Sequence, residues 1–261
     1  ICPSRPVFST GGLKTRPYGS HKPRDKLKFE IYCKGNDVMK RSKIRDRQLP
    51  IYSRGEEIMN MVTHVVGGGL AVVITVLCIV KAALQADGYS ILGCAIYGVS
   101  LILLYTMSSV YHGPKKGTGK KVMQVLDHCT IYLLISGSYS AILLTGLRPV
   151  YPEICWGLFL LEWGLTALAV TLTAIDLKKY NIFSMICYIG MGWVIFPFMK
   201  QVTEVMGQGG FGFLLAGGVA YTVGAILYGL GKKKKWMHSV FHIFVVLGSI
   251  LQFVSIFFYA L

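Results

Sequence analysis

From about residue 58 to its C-terminus, the chain is a succession of long apolar runs separated by short polar stretches. The runs span approximately 58–80, 91–112, 125–146, 154–175, 182–199, 211–230 and 237–260. A helix needs roughly 20 apolar residues to cross about 30 Å of hydrocarbon, and within lipid it satisfies its own backbone hydrogen bonds. The pattern predicts an all-α, polytopic integral membrane protein: a seven-transmembrane helix bundle over residues 51–261. Continuous runs exclude an outer-membrane barrel, whose strands alternate apolar and polar positions. Residues 1–50 follow a different rule. They are polar and basic, carry Pro3, Pro6, Pro17 and Pro23, and show little periodicity. They predict a disordered basic N-terminal arm. The chain opens on Ile1 rather than Met, which reads as a fragment, a processed form or an over-extended translation. The arm lacks the apolar core of a signal peptide.

Composition agrees with the pattern. The chain is 53% hydrophobic with a mean hydropathy of +0.54, too apolar for a soluble domain of 261 residues. The net charge of +15 is uneven, since fourteen of the 27 Lys and Arg residues precede residue 55. Lys115, Lys116, Lys120 and Lys121 follow the second run, Lys178 and Lys179 the fourth, and Lys232 to Lys235 the sixth. The opposite loops carry only Lys81, Arg148 and Lys200. Basic loops stay on the cytosolic side. The N-terminus is therefore expected in the cytosol and the C-terminus outside, in the plasma membrane. Membrane lipids are the expected partners. No nucleic acid is expected, because no aromatic residues interleave the basic arm as in nucleic-acid modules. The seven cysteines form no CxxC pair and sit mostly in apolar runs, where cysteine behaves as a small hydrophobe.

This topology sorts the buried polar residues to one leaflet. The second run ends with Ser108 and His112, the third begins with Asp127-His128, and the seventh begins with His238 and His242. The first begins with Glu56-Glu57, Asn60 and His64. Residues four apart share a helix face, so His238 and His242 can address one partner. Ionisable groups at this depth are costly and point to function. Three imidazoles with an open fourth position suit zinc. His112, His238 and His242 are the expected metal ligands. Asp127 is expected to hold or deprotonate a water and Ser108 to hydrogen-bond it, which is the chemistry of ester or amide hydrolysis. Glu57, Asn60 and His64 are expected around the ligands, His64 either as a hydrogen-bond donor or simply packed. His128 points about 100° away from Asp127 on a helix and is left out.

Other positions carry smaller expectations. Glu162, alone in the fourth run, is expected to pair with a polar group or stay protonated, with a transport role as the alternative. Asp176, Lys178 and Lys179 form a solvated interfacial loop. Pro197 kinks the end of the fifth run. Trp156, Trp163, Trp193 and Trp236 act mainly as interfacial anchors, and Gly67–Gly69 allow close helix packing.

Four motifs in order resemble the haemolysin III family, the bacterial branch of a group that includes adiponectin and progestin receptors and alkaline ceramidases. They are Glu57-x-x-Asn60-x-x-x-His64; Ser108-x-x-x-His112; Asp127-His128-x-x-Ile131-Tyr132 with Gly137-x-Tyr139; and His238-x-x-x-His242 with Gly248-Ser249. The resemblance covers about residues 50–261. It implies a seven-helix fold and zinc on His112, His238 and His242, with Asp127 and Ser108 near the metal. Related ceramidases hydrolyse a lipid amide, which implies a lipid substrate. The family's name implies a pore-forming cytolysin instead, and the receptors imply a receptor or sensor with a structural metal. This chain departs from the family at Ser140-Ala141, where Thr-Pro is common, and at Gln252, where many members carry histidine.

Overall fold

A computed structural model describes residue 44 and residues 47–85, 87–114, 117–231 and 234–261. Most of the expected N-terminal arm lies outside the described residues. Those from residue 44 onward belong to one compact unit, and their regular structure is entirely helical. Helix α1 spans Arg54–Leu84, α2 Gly88–His112 and α3 Thr118–Ile142, which runs on into a π turn over Leu143–Leu147. Helix α4 spans Pro152–Ile175, α5 Asn181–Trp193, α6 Met199–Leu230 and α7 Met237–Ser255.

The sequence starts these helices by ordinary capping chemistry. Ser53 accepts from Glu56 N while Glu56 Oε2 accepts from Ser53 N at 2.8 Å, a reciprocal capping box. Asp87 caps α2 through Tyr89 N and Ser90 N and pairs with Arg148 at 2.9 Å, tying that corner to the end of α3. The Ser90 hydroxyl, the Arg148 guanidinium and the capped N–H groups hold the Asp87 carboxyl below the usual carboxylate range. Pro152 opens α4, where its missing N–H costs nothing.

Among the described residues, six helical stretches are long and apolar enough to cross a membrane. Their number, length and apolarity are those of a polytopic helical integral membrane protein. The stretch over Asn181–Leu230 has 50 residues. At 1.5 Å per residue it would measure about 75 Å if straight, well over twice the hydrocarbon thickness. It is not straight. Helix α5 stops at Trp193 and a 3₁₀ turn over Phe196–Phe198 encloses Pro197, so the proline interrupts the helix where expected. A second break falls at Gly207, with φ 69° and ψ 171°, a backbone that glycine adopts without a Cβ clash. The hydropathy pattern predicts a polar connection over 200–210. Instead Met199–Met206 is helical, because its composition favours helix until Gly207.

Helix α3 is the centre of the bundle. Of its apolar window 83% is buried, against 28% for α1 and for α4. The outer helices turn Val65, Val72, Val76 and Leu160 outward, as a lipid-facing surface requires. Close approach to the central helices falls on particular glycines. A Cβ at Gly67 would meet the Tyr105 ring, and one at Gly93 would lie 2.8 Å from Ser140 O and 3.2 Å from Ala141 Cα. Gly69 has no such neighbour, so the packing role of the Gly67–Gly69 run rests mainly on Gly67.

Two expectations are corrected. Asp176 is 5% exposed rather than solvated, because it accepts from Lys178 N and Lys179 N at 3.1 Å and closes the turn after α4. Trp163 and Trp193 direct their indole N–H groups inward, to Ser140 Oγ and Thr222 Oγ1, each at 3.0 Å. Trp156 and Trp236 are exposed.

The Gly93 contact yields a stability prediction. Its obstacles are backbone atoms, so Gly93→Ala must push α2 away from α3, at about 1–3 kcal/mol. The melting temperature of the purified protein is expected to fall by several degrees. Gly69→Ala is expected to leave it unchanged or slightly raised. Equal melting temperatures for the two variants would contradict this packing.

Candidate metal centre

Four chain segments meet at the end of the bundle where α1, α3 and α7 begin and α2 ends. His112 closes α2, and His238 and His242 occupy the first turns of α7. All three are buried. His112 Nε2 and His242 Nε2 each lie 3.1 Å from His238 Nε2, and the three ligand atoms fall within 4.8 Å of one another.

Hydrogen bonding alone serves this arrangement poorly. A neutral imidazole has one N–H and one lone pair. His112 Nδ1 lies 2.6 Å from Glu57 Oε2. Since a carboxylate only accepts, Nδ1 carries the proton and His112 Nε2 is left with its lone pair. A proton on His238 Nε2 can be donated to only one of its two neighbours, while a lone pair there would face the lone pair of His112 Nε2. A cation at the common point satisfies all three nitrogens. The donor set therefore fits a transition metal, and a histidine donating its far N–H to a carboxylate is the usual companion of metal ligation.

The surroundings fix these rings. Lys120 Nζ donates to the other Glu57 oxygen at 2.6 Å and to Pro114 O at 3.2 Å, so Glu57 is held from both sides. Tyr52 stacks on His238 at 5.0 Å and 12°. Burial and the neighbouring Tyr228, Tyr111, Glu57 and Asp127 push the Tyr52 phenol far above its usual range, so it stays neutral. His64 stacks on His242 at 3.7 Å, and neither of its ring nitrogens has a partner. It is packed, not a donor to the ligands. Asn60 Oδ1 accepts from Ser239 Oγ at 2.6 Å, joining α1 to α7 between the two histidines.

Trp236 precedes α7 in the left-handed region, φ 68°, uncommon for a residue with a Cβ. Its N–H donates to Glu56 Oε1 at 2.7 Å. Glu56 thus caps α1 and anchors the start of the helix that carries two histidines. Lys120 and Tyr52 carry no site signal in the sequence, and Glu56 stands there only as a polar neighbour of Glu57 with no role of its own. Lys120 read as loop charge and Tyr52 fell ahead of the apolar run. Only the adjacency of Glu56 to Glu57 offered a signal.

Residues 52–253 match the family described as Haemolysin-III related. The chain belongs to this family. It is 35% identical to "Hemolysin-3" of Bacillus cereus over 206 residues, covering 79% of this chain and 92% of the relative. It is 32% identical to the "Hemolysin-3 homolog" of Bacillus subtilis (strain 168) over 204 residues, 78% of this chain and 94% of the relative. It is 25% identical to the human "Monocyte to macrophage differentiation factor" over 169 residues, 62% of this chain and 67% of the relative. No solved structure matches.

In this haemolysin-III family chain, the histidine cluster borders a cavity of about 160 Å³. His64, His238 and His242 line it together with Ser108 and Asp127, and most of the remaining wall is apolar. Asp127 lies outside the three-nitrogen cluster. Its carboxylate sits beside the Ser108 hydroxyl and 3.7 Å from His128 Nδ1. His128 Nδ1 is engaged by its own helix, 2.8 Å from Gln124 O, and takes no place among the ligands. Gln252, also on the cavity wall, donates to Leu214 O at 3.1 Å.

The Glu57 contact makes a prediction about affinity. Purified protein is expected to bind one transition-metal ion per chain, measured by competition with a chromophoric chelator. Glu57→Gln should weaken it about 10–100-fold by loosening His112, and His238→Ala should abolish it. An affinity unchanged by Glu57→Gln would show that the carboxylate does not orient the ligand.

Proposed function

We propose that this chain is a zinc-dependent membrane hydrolase acting on a lipid amide or ester. His112, His238 and His242 hold the zinc, whose preference for imidazole ligands at tetrahedral sites with one open position fits the cluster. When bound, zinc supplies Lewis acidity that polarises a carbonyl and acidifies water. The other roles fall to the chain. Asp127 accepts a proton from water, Ser108 orients its carboxylate, and the apolar wall holds an acyl chain and keeps bulk water out. The observation that carries the reading is the shared cavity: two of the clustered histidines, Asp127 and Ser108 border one apolar space.

We place the site at the cytosolic face, with the N-terminus in the cytosol, the C-terminus outside and residues 1–50 as a basic arm against anionic lipid. The lysine-rich loops support this orientation. The Asn181–Leu230 stretch crosses twice, giving seven crossings. Tyr188 donates to His128 O near its start and Tyr228 lies against His238 near its end, so both ends meet the histidine side of the bundle. Between them Glu204 accepts from Tyr151 at the start of α4, on the far side.

Two measurements test the reaction. Wild type is expected to contain zinc and to release fatty acid from a ceramide-like lipid or an ester analogue, and His238→Ala should lose both properties. Asp127→Asn should keep the metal and lower kcat by about 10²–10⁴-fold, the range of general acid–base catalysis. Zinc-free wild type, or full turnover in either variant, would end the reading. The name Hemolysin-3 borne by the Bacillus cereus relative favours a second reading, a pore-forming cytolysin. Dye leakage from liposomes that survives loss of the histidines would support that alternative.

A further inference from the structure

Helix α4 buries one stripe of its surface: Cys155, Leu158, Glu162, Thr166, Ala169 and Thr173. Half of the stripe is polar: Thr173 bonds Tyr132 of α3 and Ser184 of α5, and Thr166 bonds Ser136 of α3. Tyr132 and Ser136 lie four apart on one face. At the centre of this seam is Glu162, near the middle of α4 and 0% exposed. It takes no part in the cavity beside the histidines.

The Glu162 carboxyl is poorly served in either protonation state. Oε2 receives one long hydrogen bond, 3.4 Å from Ser136 Oγ, and Oε1 has no partner. Among the described residues no Lys, Arg or His forms an ion pair with it. An ionised carboxylate at this depth without a countercharge is expensive. A neutral acid needs an acceptor for its proton, and Ser136 Oγ lies beyond the usual O–H···O range. The hydrogen-bonding atoms recorded around it are nevertheless oxygens. Ser136 Oγ is 3.1 Å from Glu162 O and 2.6 Å from Thr166 Oγ1, which is 3.4 Å from Tyr132 O. A carboxylate, two hydroxyls and a backbone carbonyl thus lie against one another in this buried seam.

We propose that Glu162, Ser136, Thr166 and the Tyr132 carbonyl form a binding site for a monovalent alkali cation between α3 and α4. Hard cations take oxygen ligands of these types. One carboxylate balances one positive charge, so the filled seam is neutral. A divalent ion would leave a net charge within the hydrocarbon depth, and a transition metal would find none of the nitrogen or sulfur donors it prefers. The unpartnered Oε1 is the oxygen the ion would take first. The site is separate in residues and in chemistry from the histidine cluster.

Sodium is the probe. The melting temperature of the purified full chain in detergent is compared in sodium chloride and in choline chloride at equal ionic strength, since choline is too large for the seam. Sodium is expected to raise it by about 3 °C or more. Glu162→Gln and Thr166→Val should each abolish the difference, while His238→Ala should keep it. If Glu162→Gln fails to fold, Thr166→Val carries the test. Identical melting temperatures in both salts would mark a protonated carboxyl and overturn the proposal. So would a sodium effect that persists in Thr166→Val or disappears in His238→Ala.

Discussion

Three imidazole nitrogens brought within contact distance inside an apolar bundle are the constraint around which this protein is arranged. Left to themselves, His112 Nε2, His238 Nε2 and His242 Nε2 cannot all be satisfied by one another at 3.1 Å. The fold holds them there regardless. Glu57 sets the His112 tautomer, Lys120 holds Glu57, and the Ser239–Asn60 bond draws α7 against α1. The Glu56–Trp236 contact and the left-handed backbone at Trp236 set where α7 begins. Backbone strain of that kind persists only where surrounding contacts overdetermine it. Here those contacts converge on the helix that brings two of the three ligands.

The membrane makes this geometry consequential. In water a cluster of histidines would be solvated and its orientation weakly enforced. Within a bundle whose outer faces are largely apolar, each buried polar group must find a partner or a function. Most do find partners: Tyr105 and Tyr221 share Ser249, at 2.8 Å and 2.9 Å, and Ser140 receives the Trp163 indole. Among the described residues, the groups left over include His64, the Nδ1 atoms of His238 and His242, and the Glu162 carboxyl. They occupy different interfaces, α1–α2–α7 for the histidines and α3–α4 for the carboxyl, so the bundle separates its nitrogen chemistry from its oxygen chemistry.

Much of this was legible in the sequence. Apolar runs of membrane length mark the helices, and their alternating directions bring His112, Asp127, His238 and His242 to one end of the bundle. What stayed hidden depends on contact rather than pattern. Lys120 is one of several loop lysines until Glu57 is seen to lie against it. His64 shares a helix face with Asn60, yet only coordinates show it stacked on His242 with no hydrogen bond. Hydropathy placed a polar link over 200–210 because Lys200 and Glu204 lower the local average. It could not show that these residues stay helical and that the break waits for Gly207. Asp127 borders the cavity and lies outside the three-nitrogen cluster.

The most direct test is X-ray absorption at the zinc edge on purified protein. A zinc first shell of three imidazole nitrogens at about 2.0–2.1 Å, plus one oxygen, is the expected spectrum, and His112→Ala should reduce the imidazole count or empty the site. A shell with fewer than three imidazoles in wild type, or one containing thiolate sulfur, would mean that the three nitrogens do not share an ion, and the account would fail at its centre.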